Sequence, residues 1–213
     1  LCYNLIMATV ICITNQKGGV GKTTTAVNLG YFLAKDKFKT LIVDFDPQGN
    51  ATSGLGVNKA KLKSTMTEVI TGKASLKDTI VETKSKNLWI APTTPELANA
   101  EVEIANAKGK FAKLKNAIDS VGKEYDYVII DSSPARYLND PSVLNELVDA
   151  SLLVVKQDNA TVEVINETIG RITNVKNNLI GCIYNASILD IVKQHKVYGY
   201  HYGYNRYTRR RED

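Results

Sequence analysis

Short apolar runs alternate along this chain with longer segments in which apolar residues recur every three or four positions. Almost wholly apolar runs of this length are typical of strands that are buried on both faces. They cover residues 8–14, 40–44, 87–92, 125–130, 151–155 and 179–184. Helical spacing covers residues 22–35, the segment after Pro95 with a weak point at Gly109, residues 141–148 and residues 163–175, whereas residues 50–63 have the composition of a loop. Buried strands that alternate with helices predict an α/β fold, in which a mostly parallel sheet is flanked by helices on both faces in three layers.

A glycine-rich turn joins the first predicted strand to the first predicted helix. It consists of Lys17, Gly18, Gly19, Val20, Gly21, Lys22, Thr23 and Thr24. In such a turn the backbone N–H groups can surround a phosphate, and the helix N-terminus adds a partial positive charge. Lys22 can then reach the β- and γ-phosphates of a nucleotide, and the Thr23 hydroxyl can ligate Mg²⁺. The usual P-loop pattern begins with a glycine at the place of Gln16, so this P-loop is a variant form that carries Lys17 instead.

Aspartates follow two of the other predicted strands. Asp44 and Asp46 come after the second strand, and Asp131 comes after the strand that starts at Tyr125. Ligands of parallel α/β sheets bind beyond the carboxyl ends of the strands, and phosphoryl transfer needs a metal and a group that orients the attacking oxygen. We expect Asp131 to act on the metal through water, Asp44 to lie near the magnesium shell and Asp46 to orient the attacking oxygen. The alternative for each aspartate alone is a turn-forming role at a strand end.

Two stretches of sequence carry a specific resemblance. KGGVGKTTTAVNLG, followed by LIVDFDPQGNATSGLG, closely resembles the ParA/Soj partition ATPases of the ParA/MinD group, from about Met7 to about residue 125. The resemblance implies that ATP and Mg²⁺ are the cofactors, that Lys22 is the phosphate lysine and Thr23 the magnesium ligand, and that Asp46 is needed for hydrolysis. It further implies that Lys17 reaches the phosphates of a partner subunit in an ATP-sandwich homodimer. A second lysine at that place would stabilise the charge that develops at the γ-phosphate, as an arginine finger does.

The C-terminal third resembles another family of P-loop proteins, the bacterial tyrosine autokinases of capsule and exopolysaccharide synthesis. The resemblance runs from YDYVIIDSSPARYLN through LIGCIYN to the tail YGYHYGYNRY. It implies that Asn185 lies near the adenine and that clustered tail tyrosines accept phosphate between subunits. These tyrosines are Tyr198, Tyr200, Tyr202, Tyr204 and Tyr207. The sequence therefore resembles a hybrid of two P-loop families that meet near the strand that ends at Asp131.

Two functions follow from these resemblances, and a third is the simplest alternative. The first is an ATP-dependent dimerising switch, as in chromosome and plasmid partitioning, in which slow hydrolysis resets the dimer. The second is an autokinase that transfers the γ-phosphate to its own tail tyrosines, with Asp44 or Asp46 orienting a tyrosine hydroxyl instead of water. The third is an ATP-binding protein that has lost its output because its halves come from different systems. Lys17 and the DFDPQGN stretch favour the first function, whereas the tail favours the second.

Composition excludes several other classes of protein. Hydrophobic residues make up 44% of the 213 residues and charged residues 23%, which is typical of one globular domain and not of a disordered chain. No apolar run approaches the ~20 residues that a bilayer-spanning helix needs. Cys2, Cys12 and Cys182 lie far apart, which argues against a disulfide scaffold or a cysteine-built zinc site and favours a reducing, cytoplasmic location. The net charge of +5 permits an anionic partner without requiring one.

We divide the chain into three parts. Residues 1–6 are an upstream extension, residues 7–192 are a single P-loop ATPase domain, and residues 193–213 are a mobile tail rich in tyrosine and arginine. The tail arginines, Arg206 and Arg209 to Arg211, can contact DNA phosphates without sequence specificity. The family resemblances imply an activator protein, either a ParB-like protein or a membrane adaptor.

Overall fold

A single sheet runs through the centre of the structure, a computed structural model that describes residues 7–105, 110–133, 144, 147–175 and 178–187. Its strands are β1 (Thr9–Thr14), β2 (Thr40–Phe45), β3 (Val81–Glu82), β4 (Leu88–Ala91), β5 (Tyr127–Ser132), β6 (Ala150–Lys156) and β7 (Leu179–Asn185). The strand order is β3-β4-β2-β5-β1-β6-β7, and every neighbouring pair is parallel except β3 with β4. β1 and β5 therefore lie in the middle of the sheet, where both faces can be covered.

Helices cover both faces of this sheet. They are α1 (Lys22–Lys35), α2 (Asn50–Gly54), α3 (Met66–Thr71), α4 (Leu76–Thr79), α5 (Leu97–Ala105), α6 (Lys110–Val121) and α7 (Val162–Val175). On one face, Ala26 and Ala34 of α1 join the buried cluster that contains Ile42 and Ile129 of the sheet. On the other face, α3, α5 and α6 contribute side chains such as Ile118 to a second buried cluster. The predicted α/β fold, with a mostly parallel sheet between two helical layers, is confirmed.

The central strands carry polar residues at the carboxyl ends of an otherwise apolar core. Every residue of β2 is buried, and β1 is buried from Val10 to Thr14. Asp131 of β5 pairs in register with Asp44 of β2 and with Ile13 of β1. The register therefore brings two of the predicted carboxylates side by side on adjacent strands, next to the turn that follows β1.

Short elements are the places where the structure departs from the sequence pattern. Residues 50–63, predicted as a loop, contain α2 and the 3-10 turn Lys59–Lys61. Between residues 66 and 82, where the pattern predicted no element, the chain forms α3, α4 and β3. Such elements are too short to show a hydrophobic period, and capping stabilises them instead. At α3, Thr65 and Glu68 form a capping box, in which the Thr65 N–H donates to the Glu68 carboxylate at 2.8 Å.

Several other sequence predictions fall partly or wholly outside the described residues. The helical segment after Pro95 is described as α5 and α6, on either side of residues 106–109. The helix predicted at residues 141–148 lies mostly outside the described residues. The predicted upstream extension at residues 1–6 and the predicted tail at residues 193–213 lie wholly outside them.

Candidate nucleotide-binding site

The glycine-rich turn between β1 and α1 leaves the first turn of α1 open to a ligand. Gly19 and Gly21 have positive φ angles of 69° and 102°, which let the chain curl back before the helix begins. Gly21 is the N-cap residue, and no side chain caps the helix there. The N–H groups of an uncapped first helical turn have no intrahelical acceptor and point at whatever binds in front of them. This geometry suits an anion such as phosphate.

Lys22 turns back over this loop and is buried. Its side-chain ammonium donates to the backbone carbonyl of Lys17 at 3.0 Å, and the residue is only 6% exposed. Burial lowers the pKa of Lys22, while the nearby charges of Asp131 and Asp46 oppose that shift. The loop therefore holds a positive charge at its inner side, between its own backbone and the carboxyl ends of the central strands.

Lys17 points away from its own loop. Its ammonium donates to the backbone carbonyl of Asn159, in the turn between β6 and α7, at 2.5 Å. Its backbone N–H donates to the Asn15 side chain at 2.8 Å, and the Asn15 amide in turn donates to the Val154 carbonyl at 2.6 Å. The backbone of the loop is thus tethered to β6, whereas the Lys17 side chain lies at the exposed edge of the loop.

Asn185 holds the middle of the loop from the end of β7. Its amide donates to the backbone carbonyl of Val20 at 2.8 Å. A Cβ atom on Gly21 would overlap this amide group, so the contact itself requires glycine at that position. The sequence analysis placed Asn185 at the adenine, and the structure places it against the phosphate loop. Contact with adenine stays a prediction.

We expect Gly21→Ala to disrupt the loop more than Gly19→Ala does. Both substitutions put a side chain on a residue with positive φ, which costs on the order of 1 kcal/mol. A Cβ at Gly19 meets open space, whereas a Cβ at Gly21 must displace Asn185. Urea unfolding should show that Gly21→Ala lowers the free energy of unfolding by about 1–3 kcal/mol more than Gly19→Ala does. Equal losses would show that Asn185 does not constrain the loop.

The three predicted carboxylates come together next to the loop. Asp44 and Asp131 are fully buried, and Asp46 is only 8% exposed. Burial raises the pKa of Asp131 to about 7, and the neighbouring Asp44 charge adds to that shift, while Thr23 and Lys22 act against it. Among the described residues, neither carboxylate oxygen of Asp131 has a hydrogen-bond partner of ordinary geometry. A buried carboxyl group with free oxygens is costly to keep in a fold unless a ligand uses it.

Asp44 and Asp46 make hydrogen bonds that shape the segment after β2. One carboxylate oxygen of Asp44 accepts from both the backbone N–H and the hydroxyl of Thr52, at 2.7 Å and 2.6 Å. Burial raises the pKa of Asp44, and the bonds from Thr52 limit that shift. Asp46 accepts from the backbone N–H of Gln48 at 3.0 Å, as a turn-forming aspartate does. Both residues therefore form local structure at the loop, and their roles in metal binding and hydrolysis stay predictions.

Sequence reasoning missed Asn15, Thr52 and Asn159, which position the predicted residues. Thr52 lies eight residues from Asp44, whereas Asn15 and Asn159 lie on different segments of the chain. Only the position of Asn15, two residues before the glycine-rich turn, gave a sequence signal for any of them. The other contacts depend on how the loops after β2 and β6 fold over the sheet.

Asp131 should make the stability of the ligand-free protein fall as the pH rises. The folded protein holds the proton of the Asp131 carboxyl group more tightly than the unfolded chain does, where the aspartate pKa is about 3.9. The contribution of this group to the free energy of unfolding is therefore fully present below pH ~4 and is lost by pH ~7. The three-unit difference corresponds to about 4 kcal/mol. We expect Asp131→Asn to remove this fall, as measured by urea unfolding from pH 4 to pH 8. Asp119→Asn, at an exposed ion pair, is the control, and parallel curves for the Asp131 variant and the parent chain would contradict the assignment.

The residues present fit a magnesium ion that is bound together with a nucleotide. Mg²⁺ prefers oxygen ligands and is usually held by one or two carboxylates plus substrate phosphates. Asp131 offers two buried oxygens that have no hydrogen-bond partner of ordinary geometry among the described residues, and the Thr23 hydroxyl lies close enough to lower the pKa of that carboxyl group. In the described part of the chain, no group of three or more His, Cys, Asp or Glu side chains could hold a metal ion without such help.

The fold and this site define the class of the protein. A mostly parallel sheet, a glycine-rich turn between β1 and α1 and a lysine at the first helical residue are together the features of P-loop nucleotide-binding proteins. A family model described as "AAA domain", AAA_31, matches residues 8–188. The chain belongs to this family and, within the P-loop proteins, to the ParA/Soj-type ATPases, as the following relatives show.

Two curated relatives cover much of the chain. The sporulation initiation inhibitor protein Soj of Bacillus subtilis is 39% identical over 173 residues, which are 81% of this chain and 68% of Soj. The chromosome partitioning protein ParA of Myxococcus xanthus is 42% identical over 146 residues, which are 68% of this chain and 50% of that ParA. The chain thus spans between half and about two thirds of the length of these relatives.

Solved structures give the same fold. Cobyrinic acid a,c-diamide synthase from Mycobacterium smegmatis, with bound ADP and magnesium, matches with a TM-score of 0.73 at 27% identity, over 84% of this chain and 72% of the synthase. A variant of McdA from Cyanothece, in complex with ATP, matches with a TM-score of 0.72 at 28% identity, over 83% of this chain and 68% of McdA. The similarity of fold therefore extends to a synthase that binds ADP with magnesium and to a protein that binds ATP.

The match of one family model through residue 188 bears on the hybrid interpretation. It includes β5, β6 and β7, which lie in the third of the chain that was likened to the tyrosine autokinases. The comparisons therefore do not support a hybrid of two families or a kinase activity. The candidate acceptor tyrosines of the tail lie outside the described residues. None of the helices in the described part of the chain is long and apolar enough to span a bilayer.

Proposed function

We propose that this chain binds ATP with Mg²⁺, hydrolyses the ATP, and forms a homodimer when ATP is bound, as a switch of the partitioning type. The observation that carries the proposal is the opposite orientation of two lysines on one phosphate loop. Lys22 is buried at the inner side of the loop, near Asp131 and Asp46. Lys17 extends from the outer side, where its ammonium donates to the backbone of another loop. One lysine thus suits the phosphates of its own site, and the other suits those of a second copy.

The other residues of the site have complementary proposed roles. The backbone of Gly18 to Gly21 surrounds the phosphates, and Thr23 and Asp131 hold Mg²⁺, with Asp131 acting through water. When bound, the metal neutralises charge on the β- and γ-phosphates. Asp46 orients the attacking water, and its bond to Gln48 keeps its carboxylate in one position. Asp44 contributes negative charge next to Asp131, and direct contact with the metal stays a prediction because Thr52 occupies one of its oxygens.

The partitioning role and the partners rest on the relatives. Soj and the Myxococcus protein are named for sporulation and for chromosome partitioning, and this chain spans only part of each. Non-specific DNA and a ParB-like activator are therefore proposals for the whole protein. They agree with the net positive charge of the chain but do not follow from it.

Incubation with ATP and Mg²⁺ tests the proposal directly. One sample is assayed for inorganic phosphate and for its intact mass, and a sample of Asp46→Asn is the control. We expect phosphate release without a change in mass, and a loss of release in the variant with nucleotide binding retained. Phosphate adducts on the chain would show that a side chain is the acceptor and would contradict the switch. Hydrolysis that persists in Asp46→Asn would contradict the role of Asp46.

A further inference from the structure

A group of lysines lines a cleft at the end of the sheet that is opposite the phosphate loop. The cleft has a volume of about 700 Å³ and lies between the end of α1 and the turn before β4. Lys35, Lys37, Lys84 and Lys86 line it together with the ring of Tyr31, and we call it the lysine cleft. None of these lysines forms an ion pair with another described residue. Four like charges around one cleft produce a positive potential that favours an anionic ligand.

The acidic residues near the cleft do not cancel this charge. Asp36 is exposed beside Lys35 in the sequence. Asp126 accepts a hydrogen bond from the backbone N–H of Lys39 at 2.7 Å, and the exposed Lys39 adds a fifth positive charge near the surface. Glu82 is exposed two residues before Lys84 and is a third carboxylate near the cleft. Because three carboxylates stand against five lysines, the surface keeps a net positive charge.

Exposed aromatic rings lie next to the lysine cleft. Tyr31, Phe32 and Phe38 are 45%, 57% and 41% exposed, although rings of this size are usually buried. The rings of Tyr31 and Phe32 contact each other edge to face, with centroids 5.6 Å apart. The Lys35 ammonium lies 5.8 Å from the centroid of Phe32, so the lysines and the rings form one continuous surface. Lysines interleaved with exposed rings suit a partner that is both negatively charged and apolar.

One lysine of the cleft, Lys37, has a strained backbone conformation. Lys37 has a φ of 74°, and its N–H donates to the carbonyl of Ala34 at 3.0 Å, directly after α1 ends. Glycine is the residue that best fits this position after a helix, because it has no Cβ to strain. Asn87, which also lines the cleft, has a φ of 63°. Strain at a non-glycine residue is a reason to look for a use of its side chain.

We propose that the lysine cleft, with the adjacent Phe32 and Phe38, binds the headgroups of an anionic membrane surface. The lysines would contact lipid phosphates, and the phenylalanine rings would enter the interface between headgroups and acyl chains. A DNA duplex offers phosphates but no apolar layer for these rings. Bases of a single strand need open ring faces for stacking, whereas the Lys35 ammonium lies over one face of Phe32, 5.8 Å from its centroid, and the ring of Phe38 contacts Tyr127 edge to face. The proposal does not depend on nucleotide binding, because the phosphate loop lies at the other end of the strands.

Sedimentation with vesicles tests the proposal on the full chain. Vesicles of phosphatidylcholine alone are compared with vesicles that contain equal parts of phosphatidylcholine and phosphatidylglycerol. We expect binding only to the anionic vesicles and a decrease in binding as salt is added. The double variant Lys84→Gln, Lys86→Gln should bind about 30-fold less, at roughly fivefold for each lysine near an anionic surface. The double variant Lys73→Gln, Lys113→Gln removes the same charge elsewhere and should bind at least tenfold better than the cleft variant.

Two further variants separate the proposal from a general effect of charge or of folding. Lys37→Gly removes a charge and also relieves the strained backbone, so it should weaken vesicle binding while the urea midpoint stays the same or rises. Phe32→Ala should weaken the binding that remains at high salt, because that part depends on the apolar contact.

Three outcomes would overturn the proposal. The first is equal vesicle binding by the cleft variant and the charge-matched control. The second is equal binding to neutral and anionic vesicles. The third is cleft-dependent binding of tripolyphosphate or a single-stranded oligonucleotide without any binding to vesicles, which would assign the cleft to soluble phosphates or to nucleic acid.

Discussion

We expect Lys22→Ala to weaken ATP binding so strongly that most of it is lost at nucleotide concentrations that just saturate the parent chain. The Lys22 ammonium is the positive charge that the loop holds at its inner side, and its bond to the Lys17 carbonyl fixes it there. Hydrogen bonds to charged groups are worth about 1.5–3 kcal/mol, so its loss should weaken binding by roughly 10- to 150-fold. The loss should be larger where the phosphate tail is longer, because this lysine suits the β- and γ-phosphates. Titration with fluorescent ATP and ADP analogues measures both effects.

A control variant separates the loss of the Lys22 contact in the loop from the general effect of removing one positive charge. Lys73→Ala removes an exposed lysine away from the loop and should leave the affinity within about twofold, since distant exposed charges are largely screened. Removal of Lys22 should also raise the pKa of Asp131 further, since Lys22 is one of the groups that lower it. Unchanged nucleotide affinity in Lys22→Ala would mean that this loop is not the nucleotide site.

We expect Lys17→Gln to prevent the proposed ATP-dependent dimerisation and to leave nucleotide binding within about threefold of the parent chain. The Lys17 side chain points out of its own site and contacts the Asn159 carbonyl, so its removal takes little from the monomer. In a dimer, the Lys17→Gln variant would lose a charge-assisted contact between Lys17 and the partner's nucleotide, worth about 1.5–3 kcal/mol, in each of two symmetric sites. Light scattering with a non-hydrolysable ATP analogue and Mg²⁺ measures the oligomeric state.

The comparison that decides the role of Lys17 is with Lys113→Gln. Lys113 is an exposed lysine on α6, and its substitution should leave both dimerisation and binding unchanged. Dimers that persist in Lys17→Gln would contradict a role in trans. A loss of nucleotide binding in Lys17→Gln comparable to that of Lys22→Ala would place Lys17 in its own site instead.

Burial makes the charged forms of three side chains in this site electrostatically unfavourable. Asp44, Asp131 and Lys22 are all buried. Burial raises the pKa values of the two aspartates and lowers the pKa of Lys22, and each shift favours the neutral form of the side chain. A nucleotide with its magnesium ion would supply partners for the Asp131 oxygens and for the Lys22 ammonium. The expected consequence is a protein that is markedly more stable with ligand, since a ligand that binds only the folded state stabilises it by mass action. The same groups explain why Asp131→Asn should raise the stability of the ligand-free protein at neutral pH and impair its function.

Much of the site could be predicted from the sequence because its residues are close in the chain and their roles are local. Gly21, Lys22 and Thr23 act within a single turn. Their spacing can be recognised from the sequence alone, because it does not depend on how the rest of the chain folds. Asp44 and Asp131 were predicted from their positions at strand ends, and the parallel register then set them side by side. Their roles in metal binding and hydrolysis stay predictions until they are measured.

The remaining contacts could not be predicted, since they join segments that are far apart in the chain. The bond from Asn185 to Val20 spans 165 residues, and the bond from Lys17 to Asn159 spans 142. The sequence pattern also missed α3, whose six residues are stabilised by a capping box and by burial of Met66 and Ile70. An element of fewer than two turns cannot show a helical period, so tertiary packing and its caps decide whether it forms.

The sequence by itself determined the class of fold and the chemistry of the loop, because buried strands, helical periods and a glycine-rich turn are local patterns. Only the tertiary structure decided which lysine faces the site, what holds the loop and how the carboxylates are buried. These properties depend on the order of strands and on loops from distant parts of the chain. The lysine cleft follows the same rule, because Lys35 and Lys37 meet Lys84 and Lys86 only where the end of α1 packs beside the turn before β4.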